Sequence, residues 1–325
     1  MHTMLLIFRL LFNPCDPDYL SRYNYIVTGW VDALNRCPRG IRLSIHHLPS
    51  DDTRMFRGNE LQIFINCIDL FHDPATKKSQ MAIIRDYLVN ILEPLDIDVN
   101  EMIVRSIDYC KNFYVLSSEE RELLLELWDK THECFKHAHR IPAKLCRTPN
   151  KLYWACMGHY NVQIYDKEAE RKDKGETTYS YDRGLMRLEY QIREKHIDGH
   201  YHKGRPRTFD AWTDWVLRSE YLAETEVLFF RGNFYSLPRV KSKLNKAVRT
   251  GKVKPVIADR IYQFMVDIPK KGVDYAFSQV SKATAQKYIE ILSEIDINPI
   301  PIPKNRGVSF LKNPLRDFYD GGCMD

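Results

Sequence analysis

Tyr165 is the residue around which a reaction could be built. It ends a strand-like alternation in Asn161–Asp173, NVQIYDKEAERKD, where Val162 and Ile164 point one way and Asn161, Gln163 and Tyr165 the other. A burst of charge follows: Asp166, Lys167, Glu168, Glu170, Arg171, Lys172 and Asp173. A tyrosine hydroxyl is a candidate nucleophile, and Lys167, Arg171 and Lys172 are placed to offset charge that develops on a phosphate. The same letters also fit an edge-strand tyrosine before a solvated helix, and this stretch alone leaves both readings open.

Carboxylates recur on other strand-like stretches. In Glu60–Cys67 the residues Leu61, Ile63, Ile65 and Cys67 make an apolar face, opposite Glu60, Gln62, Phe64 and Asn66. In Met102–Val115, Ile103, Ile107 and Tyr109 oppose Val104, Ser106, Asp108 and Cys110, and an aspartate in mid-strand runs against propensity. In Leu185–Arg193, Leu188, Tyr190 and Ile192 face a core while Arg187, Glu189, Gln191 and Arg193 face away. Glu60, Asp108 and Glu189 with one tyrosine form an inventory for metal-assisted phosphoryl transfer, because Mg²⁺ and Mn²⁺ take hard oxygen ligands. A phosphotyrosine bond would conserve the energy of the broken phosphodiester, and the chain has no G-x-x-x-x-G-K-[ST] loop for ATP. His46 and His47 are adjacent and face opposite ways on a strand. His200-Tyr201-His202 resembles an H-U-H metal motif, but Gly199 and Gly204 flank it and the context reads as a loop.

The elements that must carry these residues follow from spacing. His2–Phe12 and Ile41–His46 read as strands, and Asp16–Cys37 as a helix on Leu20, Tyr23, Ile26, Val27, Trp30, Val31 and Leu34. Thr76–Leu92 is an amphipathic helix. Ser117 caps a long helix reaching about His137, with Glu120 completing a capping box. Leu152–Met157 and Asn161–Tyr165 form a hairpin closed at Gly158, and Gly175–Asp182 is a polar turn. From Thr208 helices take over: Leu237–Thr250, Pro255–Asp267 and Ser278–Ile295, with Pro299–Pro303 and Val308–Leu311 as a small wing. The expected fold class is α+β. A mainly antiparallel sheet domain over residues 1–205, with flanking helices, precedes a smaller helical, winged-helix-like domain over residues 206–325.

With 325 residues, 44% hydrophobic content and 12% aromatic content, the chain can bury real cores. A net charge of +5 permits a polyanionic partner without requiring one. Its 8 cysteines include no C-x-x-C pair, which argues for a reducing compartment and against a zinc ribbon. No apolar run approaches the roughly 18 residues of a membrane helix, and Arg9 interrupts the apolar N-terminal stretch, so a cytoplasmic chain with no membrane partner is expected.

VQIYDKEAERKD (162–173) followed by MRLEYQIR (186–193) resembles the active-site region of rolling-circle replication initiators, of the plasmid Rep_trans and filamentous-phage gene II/X types. VRSIDYC (104–110) is similar to their acidic strand motif, and DIPKKGVDYAFSQVSKATAQKYIEILSEIDINPIPI (267–302) to the phage type's C-terminal domain. The resemblance covers most of the chain from about Glu60 onward. It implies a relaxase-like DNA endonuclease that nicks an origin in plasmid, phage or integrated DNA through a 5′-phosphotyrosine. Tyr165 would be the nicking tyrosine, Lys167 its basic neighbour, and Asp108 and Glu189 the Mg²⁺ or Mn²⁺ acids, joined by Glu60 or Gln62. Ser106 stands where the family has Arg, with Arg105 one step off. Arg171, Lys172, Arg187, Arg193, Lys282 and Lys287 would contact DNA. A host helicase and polymerase are the implied partners, and a homodimer is compatible with the reading. Two rivals stand beside it: a non-catalytic winged-helix DNA-binding regulator, and a metal-dependent nuclease in which water attacks.

Overall fold

Strict alternation builds the first part of the chain. The computed structural model describes residues 3–11, 17–48, 58–71, 77–130, 143–148, 150–156, 160–217 and 230–316. Its opening elements are β1 (Thr3–Leu11), α1 (Pro17–Asn35), β2 (Ile41–Leu48), β3 (Gly58–Asn66), α2 (Cys67–Leu70), α3 (Lys77–Leu92) and β4 (Ile103–Tyr114). β3 pairs antiparallel with both β2 and β1, and β1 pairs antiparallel with β4. Leu6, Ile63 and Leu43 stand in register across three strands and are buried, as are Met4, Phe8, Leu61, Ile65 and Ile41. The expected apolar face of β3 is therefore the core face, and Glu60, Gln62, Phe64 and Asn66 take the other.

β4 breaks the alternation. Leu5 pairs with Ser106 but Leu6 pairs with Val104, so Arg105 has no partner on β1. A bulge of this kind reverses which residues face which way beyond it. Val104 is accordingly buried at 1% exposure, where simple alternation had set it beside Ser106 and Asp108.

α1 has the expected helical spacing, but its apolar stripe is only partly covered. Ile26 and Ala33 are buried, while Tyr23, Val27, Val31 and Leu34 are 40%, 53%, 67% and 41% exposed. Gly29 permits close approach to the turn Glu93–Leu95, because a Cβ there would lie 1.8 Å from the Pro94 carbonyl oxygen.

Next come α4 (Ser118–Asp129), β5 (Ala143–Thr148), β6 (Lys151–Cys156), β7 (Tyr160–Asp166), α5 (Lys167–Asp173), β8 (Leu185–Ile192), α6 (Glu194–Tyr201) and α7 (Phe209–Leu217). Ser117 caps α4 by accepting from the Glu120 amide at 3.2 Å, and its hydroxyl donates to Glu119 at 2.9 Å. Glu119 thus accepts from the Ser117 hydroxyl, a contact distinct from the one to the Ser117 backbone N–H that a capping box would give Glu120. The expected continuation of this helix to His137, and the hairpin turn at Gly158, lie outside the described residues. The strand order is β2-β3-β1-β4-β8-β7-β6-β5, and each pair whose register is described is antiparallel. The fold class is α+β.

Helices dominate the rest, as the change of sequence texture implies. β9 (Phe234–Tyr235) leads to α8 (Leu237–Arg249), α9 (Pro255–Val266), α10 (Ile268–Lys271), α11 (Val273–Ser278), α12 (Lys282–Glu294) and β10 (Phe310–Leu311). β9 and β10 pair antiparallel. Asn233 ties the segment together: its side chain donates to Asp296 at 2.8 Å and accepts from the Asn313 amide at 2.8 Å.

The chain divides into two compact units. One comprises Met1–Cys110, Gly158–Asn161 and Glu189–Glu220; the other comprises Lys111–Met157, Val162–Leu188 and Tyr221–Asp325. No helix of the described residues is long and apolar enough to cross a membrane.

Candidate functional site

Tyr165 closes β7, and Asp166 turns the chain into α5. The Asp166 carboxylate accepts from the Ala169 amide at 3.1 Å, as an N-cap does. It also meets Arg121 at 2.7 Å, and Arg121 donates to the carbonyls of Val115 and Leu116. The end of the tyrosine strand is thereby fixed to the start of α4. This Asp166–Arg121 pair, like Lys151, escaped the sequence reading. The N-cap position of an aspartate ahead of a helix was the available signal for Asp166.

Tyr165 does not stand on an open polar shelf. It is 4% exposed. The Lys151 ammonium lies 5.6 Å and that of Lys167 5.8 Å from its ring centroid, within cation–π range. Lys167 is itself buried at 8% exposure and donates to Glu170 at 2.5 Å. Lys174 pairs with the same carboxylate. Burial pushes the Glu170 carboxyl up, but hydrogen bonds from Lys167 and Lys174 and the charges behind them outweigh it, holding the group below the usual carboxylate range.

The other expected DNA contacts of this unit are partly committed elsewhere. Arg171 pairs with the buried Asp182 at 3.0 Å and Glu176 at 3.4 Å, and covers the Tyr179 ring at 5.1 Å. Lys172 is exposed and pairs with Glu168 at 2.7 Å. Arg187 does not face solvent: it is 7% exposed and donates to Asn112 at 2.9 Å. Tyr179 and Tyr181 stack at 5.1 Å and are 48% and 56% exposed, so they are accessible tyrosines of the same unit, as is Tyr114 at 60%.

In the other unit, Asp108 lies 3.7 Å from Arg193, and Arg193 also donates to Gln191 at 2.7 Å. Gln191 accepts from Asn161 at 3.3 Å. Glu189 is two residues from Gln191 along β8, so strand alternation sets it on the side that meets Asp108. It is 3% exposed, not solvent-facing as alternation suggested. Glu60 is 2% exposed and engaged by Arg105 at 2.6 Å and by the Gln62 amide at 2.6 Å. Arg105 also stands 3.5 Å from Glu194. Among the described residues no three of His, Cys, Asp or Glu gather in a group that could hold a metal ion. The trio Glu60, Asp108 and Glu189 therefore does not fit a single Mg²⁺ or Mn²⁺ centre, and Gln62 is turned toward Glu60. A cation already faces Glu60, and another faces Asp108.

His200 and His202 end α6 instead of sharing a strand face, since His200 is in the helix and His202 caps it. Two positions apart on a helix, side chains point in widely different directions, so the H-U-H geometry is absent. Lys282 and Lys287 are exposed on α12, whose buried side is Ala285, Tyr288 and Leu292.

No family model matches the chain, and no curated protein matches it. Among solved structures, the di-domain ARO/CYC StfQ from the steffimycin biosynthetic pathway is similar at 8% identity, over 60% of this chain and 69% of that one, with a TM-score of 0.23.

Proposed function

We propose that the chain is a site-specific DNA nicking enzyme that starts rolling-circle replication through Tyr165. The supporting observation is local: a tyrosine at a strand end, pinned by Asp166 and Arg121, with the ammonium groups of Lys151 and Lys167 5.6 Å and 5.8 Å from its ring. In the reaction the Tyr165 hydroxyl loses its proton and attacks the scissile phosphorus. The 3′ oxygen leaves with its bonding pair and takes up a proton. The products are a 5′-phosphotyrosine and a 3′ hydroxyl that a host polymerase can extend. Lys151 and Lys167 would offset charge on the phosphate. The Mg²⁺ or Mn²⁺ requirement rests on the resemblance. The helical C-terminal segment is read as a winged-helix-like DNA-binding part.

One observation favours a second reading. Tyr165 is 4% exposed, so little of the residue is open to a phosphodiester. A regulator or a water-using nuclease would need no access to that tyrosine. The experiment is incubation with supercoiled DNA of the genetic element that carries the gene, with Mn²⁺ present, followed by mass-spectrometric mapping of any protein–DNA adduct. An adduct on Tyr165, lost in Tyr165→Phe, is expected. An adduct on Tyr179 or Tyr181 would move the nucleophile. Cutting without an adduct would favour hydrolysis, and no cutting the regulator.

A further inference from the structure

We propose that His196 and His200 form a two-histidine site for a borderline divalent transition cation of the Zn²⁺, Ni²⁺ or Cu²⁺ class. The two residues are four apart on α6, so their side chains lie one above the other on one helix face. Their Nε2 atoms are 3.1 Å apart and their ring centroids 4.6 Å apart. Two metal–nitrogen bonds of about 2.0–2.1 Å spanning that gap close at roughly 100°, between square and tetrahedral geometry. Neutral imidazole nitrogen suits these metals, whereas Mg²⁺ and Ca²⁺ prefer oxygen.

The rings are held before any ion arrives. Tyr160 meets the His196 ring edge-on at 5.6 Å, Tyr190 meets it at 6.4 Å, and Trp212 meets the His200 ring edge-on at 5.6 Å. Tyr160 and Tyr190 are themselves in contact at 5.1 Å. Donors fixed by packing lose little freedom when they bind. Both histidines are only half-buried, which leaves water or a ligand oxygen room to complete the shell. Asp198, between them in sequence, pairs with Arg207 at 2.8 Å and is not counted as a ligand. The same 3.1 Å spacing also accommodates a hydrogen bond, with Nε2–H of one ring donating to Nε2 of the other; on metal binding that proton would move to Nδ1 of its own ring, leaving both Nε2 lone pairs to the ion and both rings neutral.

The test uses the full chain without an affinity tag. Zn²⁺ titrated calorimetrically should bind at one equivalent, and Cu²⁺ at one equivalent should give an electron paramagnetic resonance spectrum with hyperfine coupling to two imidazole nitrogens. His196→Asn and His200→Asn should each abolish both signals, while His202→Asn keeps them. Substoichiometric Cu²⁺ added to the unsubstituted chain should broaden two of the 11 histidine ring resonances ahead of the rest, which guards against variants that fail to fold. Retention of the one-equivalent site in either single variant, its loss in His202→Asn, or no binding up to millimolar metal would overturn the proposal. Neither histidine enters the nicking reaction, so this result and the adduct experiment stand or fall separately.

Discussion

Arg105 and Glu60 meet although β1 runs between their strands: Nη1 of the arginine lies 2.6 Å from Oε1 of the glutamate. The bulge in β4 makes this possible. It leaves Arg105 unpaired on β1 and turns it to the side of Glu60, whereas unbroken alternation would have aimed it with Ile107 and Tyr109 into the core. Ser106 stands where the resembled motif has its arginine, and Arg105 supplies a cation to the polar side from one position earlier. Glu60 is nearly inaccessible, and Arg105 is a charged donor to its carboxylate. Arg105→Met should therefore destabilise the chain by about 1–3 kcal/mol, since a buried carboxylate loses a charged donor while Gln62 remains. Urea unfolding would measure it. Adding Glu60→Gln to Arg105→Met should recover part of the loss; no recovery would mean that the arginine acts through packing.

Lys151 and Lys167 give the proposed nucleophile its two cations, but only one is cleanly removable. Lys167 also neutralises Glu170, so its loss would disturb stability as well as chemistry. Lys151→Met is the sharper probe. Single-turnover adduct formation should slow by about 10- to 100-fold, the scale of losing one charge-stabilising donor, with DNA affinity changed far less. Equal losses in rate and affinity would reduce Lys151 to a binding residue.

Glu170 predicts a pH dependence with a definite sign. Its carboxyl titrates lower in the folded chain than unfolded, because Lys167 and Lys174 outweigh the cost of burial. The stabilisation is present in full above the unfolded value of about 4.3, and is lost as pH falls through the depressed folded value. Glu170→Gln should thus flatten the stability profile between the unfolded value and the depressed folded one, and lower stability at neutral pH. An unchanged acid limb in thermal melts from neutral to acid pH would contradict the pairing.

Cys67 begins α2 at the end of β3 and is 6% exposed. Burial pushes its thiol up to about 11. At pH 8 the thiolate fraction is then about one in a thousand, and the thiolate is the reactive form. Iodoacetamide at that pH should leave Cys67 unmodified in the native chain and label it in urea. Native labelling as fast as in urea would show that this corner of the core opens readily.

Alternation exposed β3 fully, because one face is a continuous core and the other carries Glu60 and Gln62. It misread β8. Arg187 and Glu189 occupy the polar positions of that strand, yet both are buried, since a strand covered on both sides spells its polar network with the letters of a solvent face. It could not find the bulge at Arg105, which is a property of pairing between strands. The histidine pair was hidden by a helix that was not expected. Gly199 makes His196–His202 look like a loop, and only helical spacing brings His196 over His200. The tyrosine's neighbours divide likewise: Lys167 is two residues on in sequence and legible, whereas Lys151 comes from another strand.

The C-terminal helices should contribute to DNA binding and not to chemistry. On α12, Ala285, Tyr288 and Leu292 are buried, and Lys282 and Lys287 lie exposed beside that stripe. Exposed lysines gain by releasing counterions from a phosphate backbone, and each such contact adds about 0.9 to the slope of log affinity against log salt. Lys282→Ala with Lys287→Ala should weaken duplex binding and reduce that slope by up to about two. Cleavage of a short single-stranded oligonucleotide should stay near the parent rate, because Tyr165, Lys151 and Lys167 are untouched. Binding curves at several salt concentrations, alongside the oligonucleotide assay, separate the outcomes. If duplex affinity and slope both match the parent, α12 is a solvated surface; if oligonucleotide cleavage falls together with duplex binding, the division of labour between helices and tyrosine is wrong.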